Sequence, residues 1–259
     1  MVIRARYGPK STEELEASLS KRTLEGLWST LVTATYESDP EIIAQVLPPP
    51  LEMSADPVVR VTMGVVDLGP NMPTIGAGTF AVSASHEGTT GFYPLVMPMS
   101  TEAAVVGGRE RFGEPKKLAE VGLEQDGDQV TGWFKRMGVT FAQVAGLVGP
   151  QIENTPDETR VDFYFKCLPS PGGCGFDGNP LLVYCRRDEQ TKEAYEVDGT
   201  VILEESPFDP VADLVVRRVR KIEFSKKSSS QFGEVKTVVS PVELAPFLHQ
   251  RYDDPRSPY

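Results

Sequence analysis

From residue 58 onward this chain reads as a long series of strand-length segments joined by short turns, and that succession limits the fold more than any other feature. Residues 58–66, 79–85, 91–97, 118–123, 129–134 and 160–167 are rich in β-branched and aromatic side chains, and 181–185, 194–203, 214–224 and 234–239 continue the pattern. Glu87-Gly88 and Asp126-Gly127 fall between such runs, where a tight hairpin needs positive backbone dihedrals. An earlier strand is expected over 27–36. Helix signals are few. Ser11 precedes an acidic first turn, and Asp39-Pro40 supplies a cap and a first-turn proline. Residues 101–106 lead to the glycine pair Gly107-Gly108, which permits a tight exit and close backbone approach, and Pro241 opens a closing helix. Lys226-Lys227 beside Ser228-Ser229-Ser230 reads as a solvated loop. So many strands with so few helices predict an α+β chain built on a curved, mainly antiparallel sheet, folded as a single domain over residues 1–259.

A formal net charge of -11 with no basic stripe disfavours nucleic acid and anionic membranes as partners. No apolar run approaches the roughly 20 residues a membrane helix needs, and Met1 opens no charged-then-apolar leader. A soluble, cytoplasmic protein is expected. Cys167, Cys174 and Cys185 are an odd set and read as free thiols. Their spacing fits no zinc pattern, so no metal site is expected. Gly76-Ala77-Gly78 superficially fits a dinucleotide fingerprint, but the residues after it alternate as a strand where a helix must begin. Chemistry without a cofactor is the simplest reading.

The run Gly108-Arg109-Glu110-Arg111-Phe112-Gly113-Glu114-Pro115-Lys116-Lys117 places a lysine at a strand start, because Pro115 lacks a ladder donor and marks an edge. A lysine amine attacks a ketone only when unprotonated, and at its reference pKa about one in a few thousand is free at pH 7. Apolar burial is the expected activating influence, with Lys117 a weaker second, since neighbours on a strand face opposite ways.

This run resembles the Gly-Arg-Glu…Pro-Lys-Lys signature of the acetoacetate decarboxylase family. Tyr36-Glu37-Ser38-Asp39-Pro40, Leu47-Pro48-Pro49-Pro50-Leu51, Gly91-Phe92-Tyr93-Pro94 and Lys166-Cys167-Leu168-Pro169 agree with it in order. The resemblance implies a cone-like β-barrel with peripheral helices, a pocket in its interior and a homo-oligomer. It further implies Lys116 as the nucleophile that condenses with a small keto-acid substrate, as in the family's lysine activation. Decarboxylation of a β-keto acid is the expected reaction. Aldol or dehydration chemistry on a 2-keto acid by the same lysine, or a barrel that only binds a small ligand, are the alternatives. The family's arginine and two glutamates fall near Ser29, Thr62 and Ala77, none of them charged, with Arg60 and Arg22 close by in sequence.

Lys116 and Lys117 are thus the candidate catalytic residues, and Arg109, Glu110, Glu114 and Tyr93 the candidate substrate contacts. Arg109 and Glu110 either pair to buttress the turn or enter the pocket. Glu114 stands where the family carries a large apolar residue, and so either faces solvent, opposes activation of Lys116, or acts as an acid/base. Tyr93 is a pocket donor if it faces inward and a core residue otherwise. His86, beside the Glu87-Gly88 turn, is expected to be exposed.

Overall fold

A computed structural model describes residues 5, 7–20, 27–68, 73–153 and 155–252; Arg22 lies outside them. In chain order the elements are α1 (Thr12–Ser20), β1 (Ser29–Glu37), α2 (Pro40–Val46), β2 (Glu52–Met53), β3 (Val59–Val66), β4 (Ile75–His86), β5 (Thr89–Met99) and α3 (Glu102–Phe112). There follow β6 (Lys116–Leu118), β7 (Glu120–Asp126), β8 (Gln129–Arg136), β9 (Val139–Gln151), β10 (Glu158–Lys166), β11 (Leu181–Leu203), β12 (Arg218–Val238) and α4 (Pro241–Leu244).

The strands run β10-β5-β4-β3-β1-β12-β11-β9-β8-β7, and β10 also pairs with β11. That last pairing closes a seven-strand barrel, antiparallel except where β10 meets β5 through Asp162 and Phe92. The expected barrel is present. The long strand β11 leaves it: its first half pairs with β10, whereas its second half pairs with β9 and leads through β8 to β7. This second layer packs back against the outside of β3.

Alternation along each strand sorts the two faces. On β1, Val32, Ala34 and Tyr36 are fully buried and point outward into the core against Phe134, Phe141 and Val144 of the second layer. Ser29, Leu31 and Thr33 point into the barrel. β3 repeats the pattern, with Val59, Val61 and Met63 in the core and Arg60 and Thr62 inside. The main apolar core therefore lies outside the barrel wall, and much of the lumen is polar.

Four expectations about elements are corrected. Residues 226–230 lie within β12, where Lys227 and Ser229 line the lumen; lysines and serines lack strand propensity, but the inward positions are satisfied by charge partners. Likewise the segment between 181–185 and 194–203 is continuous strand. Strand β9 was not among the expected ones; it begins after the Met137-Gly138 turn, both residues of which have positive φ. Helix α3 runs through Gly107-Gly108 and stops at Gly113, whose φ of 81° is left-handed and whose N–H closes onto the Arg109 carbonyl. Among the described residues no helix is long and apolar enough to cross a membrane. Cys167, Cys174 and Cys185 are free thiols.

Candidate active site

The turn after α3 delivers Lys116 into the barrel. Gly113 reverses the chain, Pro115 accepts a backbone bond from Met97 at 3.0 Å, and β6 then runs parallel to the end of β5 with Lys116 beside Met97. Two arginines brace this backbone. Arg109 Nη1 donates to the Lys116 carbonyl at 3.2 Å, and Arg251 Nη1 donates to the carbonyls of Gly113 and Phe165 at 2.8 and 2.7 Å.

Lys116 Nζ lies 2.7 Å from Glu114 Oε2, with the lysine side chain 13% exposed and the glutamate fully buried. The pair is a close contact of charges without hydrogen-bond alignment, since Oε2 has no aligned donor. The apolar surroundings expected for this amine are therefore corrected: a carboxylate two residues earlier, on the same side of the extended chain, reaches it first. Both side chains pack over Gly108, where an added Cβ would stand 2.1 Å from Glu114 Oε2 and 2.8 Å from Lys116 Nζ. Gly108→Ala is accordingly expected to push the pair apart and to slow labelling of the lysine by a carbonyl compound plus borohydride by at least about tenfold, while Gly107→Ala, which meets open space, leaves it unchanged.

Beside Lys116 the lumen holds a cavity of about 210 Å³, to which each of the seven barrel strands contributes. That is room for several waters or for a small substrate. Its wall carries a ladder of alternating charge. Arg187 Nη2 donates to Glu114 Oε1 at 3.0 Å and to the Tyr164 hydroxyl at 2.9 Å, and its Nε donates to Asp162 Oδ2 at 2.5 Å. Arg160 bridges Asp162 and Glu189, and Lys227 bridges Glu189 at 3.9 Å and Glu223 at 3.0 Å. Burial alone would raise the Asp162 carboxyl, but the Arg160 and Arg187 charges overcome it and hold it below the usual range. Burial lowers Arg160 to about 10 against the pull of Asp162. Arg187 is driven the other way: burial opposes its charge, yet Tyr164, Asp162 and Glu114 together raise it.

Of the expected site residues, Lys116 and Glu114 meet here; the others do not line the cavity. Lys117 points to the opposite face of β6, as alternation requires, but is buried there and not exterior: its Nζ lies 3.0 Å from Asp209 Oδ1 beside a separate cavity of about 840 Å³. Tyr93 packs in the outer core, its ring edge on Phe165 and its hydroxyl donating to Gln250 at 2.8 Å, because odd positions of β5 near its start face outward. Glu110 is exposed on α3, and Arg109 braces the backbone of Lys116 instead of entering the pocket. His86 is buried, with Nδ1 2.7 Å from the Tyr184 hydroxyl, since β11 covers the end of that hairpin. Ser29, Thr62 and Ala77 do line the cavity. Arg160, Asp162, Arg187 and Glu189 were not singled out by sequence, and Lys227 was read only as part of a solvated loop; the available signal was charge recurring at every second position, 160/162 and 187/189, within strands.

A family model described as "Acetoacetate decarboxylase (ADC)" matches residues 8–237. An acetoacetate decarboxylase 1 of Bradyrhizobium diazoefficiens is 35% identical over 201 residues, covering 71% of this chain and 75% of the relative. The crystal structure of acetoacetate decarboxylase from Legionella pneumophila superposes with a TM-score of 0.70 at 20% identity, over 82% of this chain and 88% of that one. The enduracididine biosynthesis enzyme MppR, complexed with pyruvate, superposes with a TM-score of 0.68 at 15% identity, over 83% and 90% of the two chains. With the barrel, the lumen and the paired lysine all in register with that signature, this chain belongs to the acetoacetate decarboxylase family.

Proposed function

We propose that this protein is a Schiff-base lyase that acts on a small keto acid through an imine at Lys116. The observation that carries the reading is the Lys116 amine, set on the wall of a small closed-barrel lumen with the Glu114 carboxylate 2.7 Å away. Before the amine can attack, its ammonium must give up a proton, and Glu114 is the acceptor in place; catalytic contacts that are misaligned in the free enzyme tighten when substrate binds. Attack on the ketone carbon gives a carbinolamine. Return of the proton from Glu114 to its oxygen releases water and leaves the protonated imine.

That cation is an electron sink. When the substrate is a β-keto acid, the electrons of the bond to the carboxylate flow into it as carbon dioxide departs, leaving an enamine that takes up a proton at carbon and is hydrolysed. This is the reaction named for the curated relatives. A second reading, aldol or dehydration chemistry on a 2-keto acid, is favoured by the uncharged Ser29, Thr62 and Ala77 on the cavity wall and by the pyruvate bound in the structurally similar MppR. None of these steps draws on a group from outside the chain other than substrate and water.

The test is borohydride reduction in the presence of acetoacetate or pyruvate, followed by peptide mass mapping. A mass increase on the Lys116 peptide supports the imine, and carbon dioxide release from acetoacetate separates the two reactions. An unmodified Lys116 with both keto acids leaves a barrel that only binds ligands.

A further inference from the structure

The segment Gly113-Glu114-Pro115-Lys116 carries both groups of the proposed proton transfer, and little of its own structure fixes it. Gly113 has a left-handed φ of 81°, Pro115 has no N–H to give, and β6 is three residues long and pairs only with β5 among the described residues. What holds the segment comes from a distant part of the chain. The 3-10 turn after α4, Ala245–Arg251, is anchored by Gln250, whose side chain accepts from the Tyr93 hydroxyl at 2.8 Å and donates to the Val46 carbonyl at 3.0 Å. Arg251 then spans the gap. Its Nη1 donates to the carbonyl of Gly113 at 2.8 Å and to that of Phe165 on β10 at 2.7 Å, and its own carbonyl accepts from Arg109 Nη1 at 3.3 Å. Arg109 Nη1 also reaches the Lys116 carbonyl at 3.2 Å, so the two ends of the segment are tied to each other through Arg251.

We propose that Arg251 is a positioning residue for the reaction at Lys116: from a turn 138 residues beyond Gly113 it holds Glu114 and Lys116 in the register that proton transfer needs. The inference rests on the Lys116 imine reading and adds to it a residue that touches neither the substrate nor the reacting atoms. The Gly113 turn lies close against β10, where an added Cβ would stand 2.6 Å from the Phe165 carbonyl oxygen. Two carbonyl dipoles brought to one point oppose each other. The guanidinium between them turns that contact attractive, through hydrogen bonds of the stronger, charged kind. Phe165 in turn follows Tyr164, whose hydroxyl shares Arg187 with Glu114. Arg251 therefore fastens the backbone that bears Glu114 and Lys116 to the strand whose side chains hold the Glu114 carboxylate. Release of that tie lets the turn move against β10, and a misplacement of about 1 Å can cost about 100-fold in rate. Arg251 does not line the lumen, so substrate binding is spared.

The test follows borohydride labelling of Lys116 by acetoacetate and by pyruvate, as a function of concentration, in the wild type, Arg251→Met and Arg251→Lys. Methionine keeps an unbranched stem and removes every donor, whereas lysine can still donate to carbonyl oxygens. In Arg251→Met the maximal labelling rate should fall about 10- to 100-fold with the half-saturating concentration unchanged, the pattern of stabilisation lost in the transition state alone, and Arg251→Lys should lie between. Made in Glu114→Gln, the same substitution should cost less than about threefold more, because the register it sets no longer serves a proton acceptor. A merely structural role would leave the rate per folded molecule at the wild-type value, or would multiply the two losses in the double variant. Either result, or a shift in half-saturation at constant maximal rate, would overturn the assignment. If no keto acid labels the wild type, the imine reading fails by itself. Amide hydrogen exchange then decides for Arg251: the N–H groups of Glu114 and Lys116, which donate to the Gly108 and Glu114 carbonyls, should exchange at least about tenfold faster in Arg251→Met while β1 and β3 are unchanged. Unchanged exchange at both removes the clamp. If Arg251→Met does not fold, Arg251→Lys carries each comparison.

Discussion

Lys116→Ala is expected to leave no borohydride-trapped adduct and no turnover, while Lys117→Ala still yields an adduct on Lys116. The contrast follows from strand alternation: the two amines leave opposite faces of β6, one beside Glu114 in the lumen and the other beside Asp209 in a different cavity. Between these extremes stands Glu114→Gln. An amide keeps the size of the side chain and its ability to accept from Arg187, but it cannot take the ammonium proton. Imine formation should fall by about 100- to 10,000-fold, the range for losing a positioned acid/base. A purely structural role for Glu114 would lower the yield of folded protein without changing the pH profile. Loss of the acceptor makes the rate climb more steeply with pH than in the wild type, because hydroxide must then do what the carboxylate did. An adduct on Lys117, or a Glu114→Gln enzyme with the wild-type profile, would overturn this division of roles.

The sequence made the strands legible where one face is apolar and the turn residues are distinctive, while their closure into a barrel came from the family resemblance. It failed where both faces of a strand are polar. Residues 226–230 and the middle of β11 carry lysines, arginines, acids and serines, so neither the alternation of burial nor β propensity marks them. Their strand conformation is fixed by partners far away in sequence, Glu189 to Arg160 and Lys227 to Glu223 and Glu189, which only the closed ring brings together. The same reason explains the site. Lys116 could be found because Gly113, Pro115 and the paired lysines form a local motif, and Glu114 because it neighbours them. Arg160 and Arg187 belong to it through tertiary closure alone. Of the two placements open to Tyr93, the outer core is the one observed: one residue of register on β5 decides between lumen and core, and the bulge at Leu95, opposite Phe80 and Ala81, puts Tyr93 and Met97 on opposite faces. Of the two uses expected for Gly107-Gly108, the tight exit is absent, because α3 runs on to Gly113, but close approach holds at Gly108, where Glu114 and Lys116 need the space a Cβ would fill.

Asp162→Asn is expected to destabilise the fold by about 3–5 kcal/mol, because it leaves Arg160 and Arg187 inside the barrel with too little opposing charge. For a chain of this size that corresponds to a fall of about 10 °C or more in the thermal midpoint. The pH dependence gives a sharper signature than the magnitude. The Asp162 carboxyl is held below its ordinary value in the folded chain, so the folded state binds its proton less readily than the unfolded state does. Stability from this group is therefore fully present above its unfolded pKa near 4 and is lost as pH falls through the lower, folded value. Wild type and Asp162→Asn should thus differ by the full amount at pH 6 to 7 and converge as the solution is acidified below about pH 4. A difference that stayed constant down to acid pH would mean that the asparagine harms packing and not charge balance. The same variant bears on the site, because Asp162 holds Arg187 and Arg187 holds Glu114. If the ladder positions the acid/base, Asp162→Asn should slow imine formation at Lys116 at a temperature where the variant is still folded. An unchanged rate there would confine the ladder to a structural role.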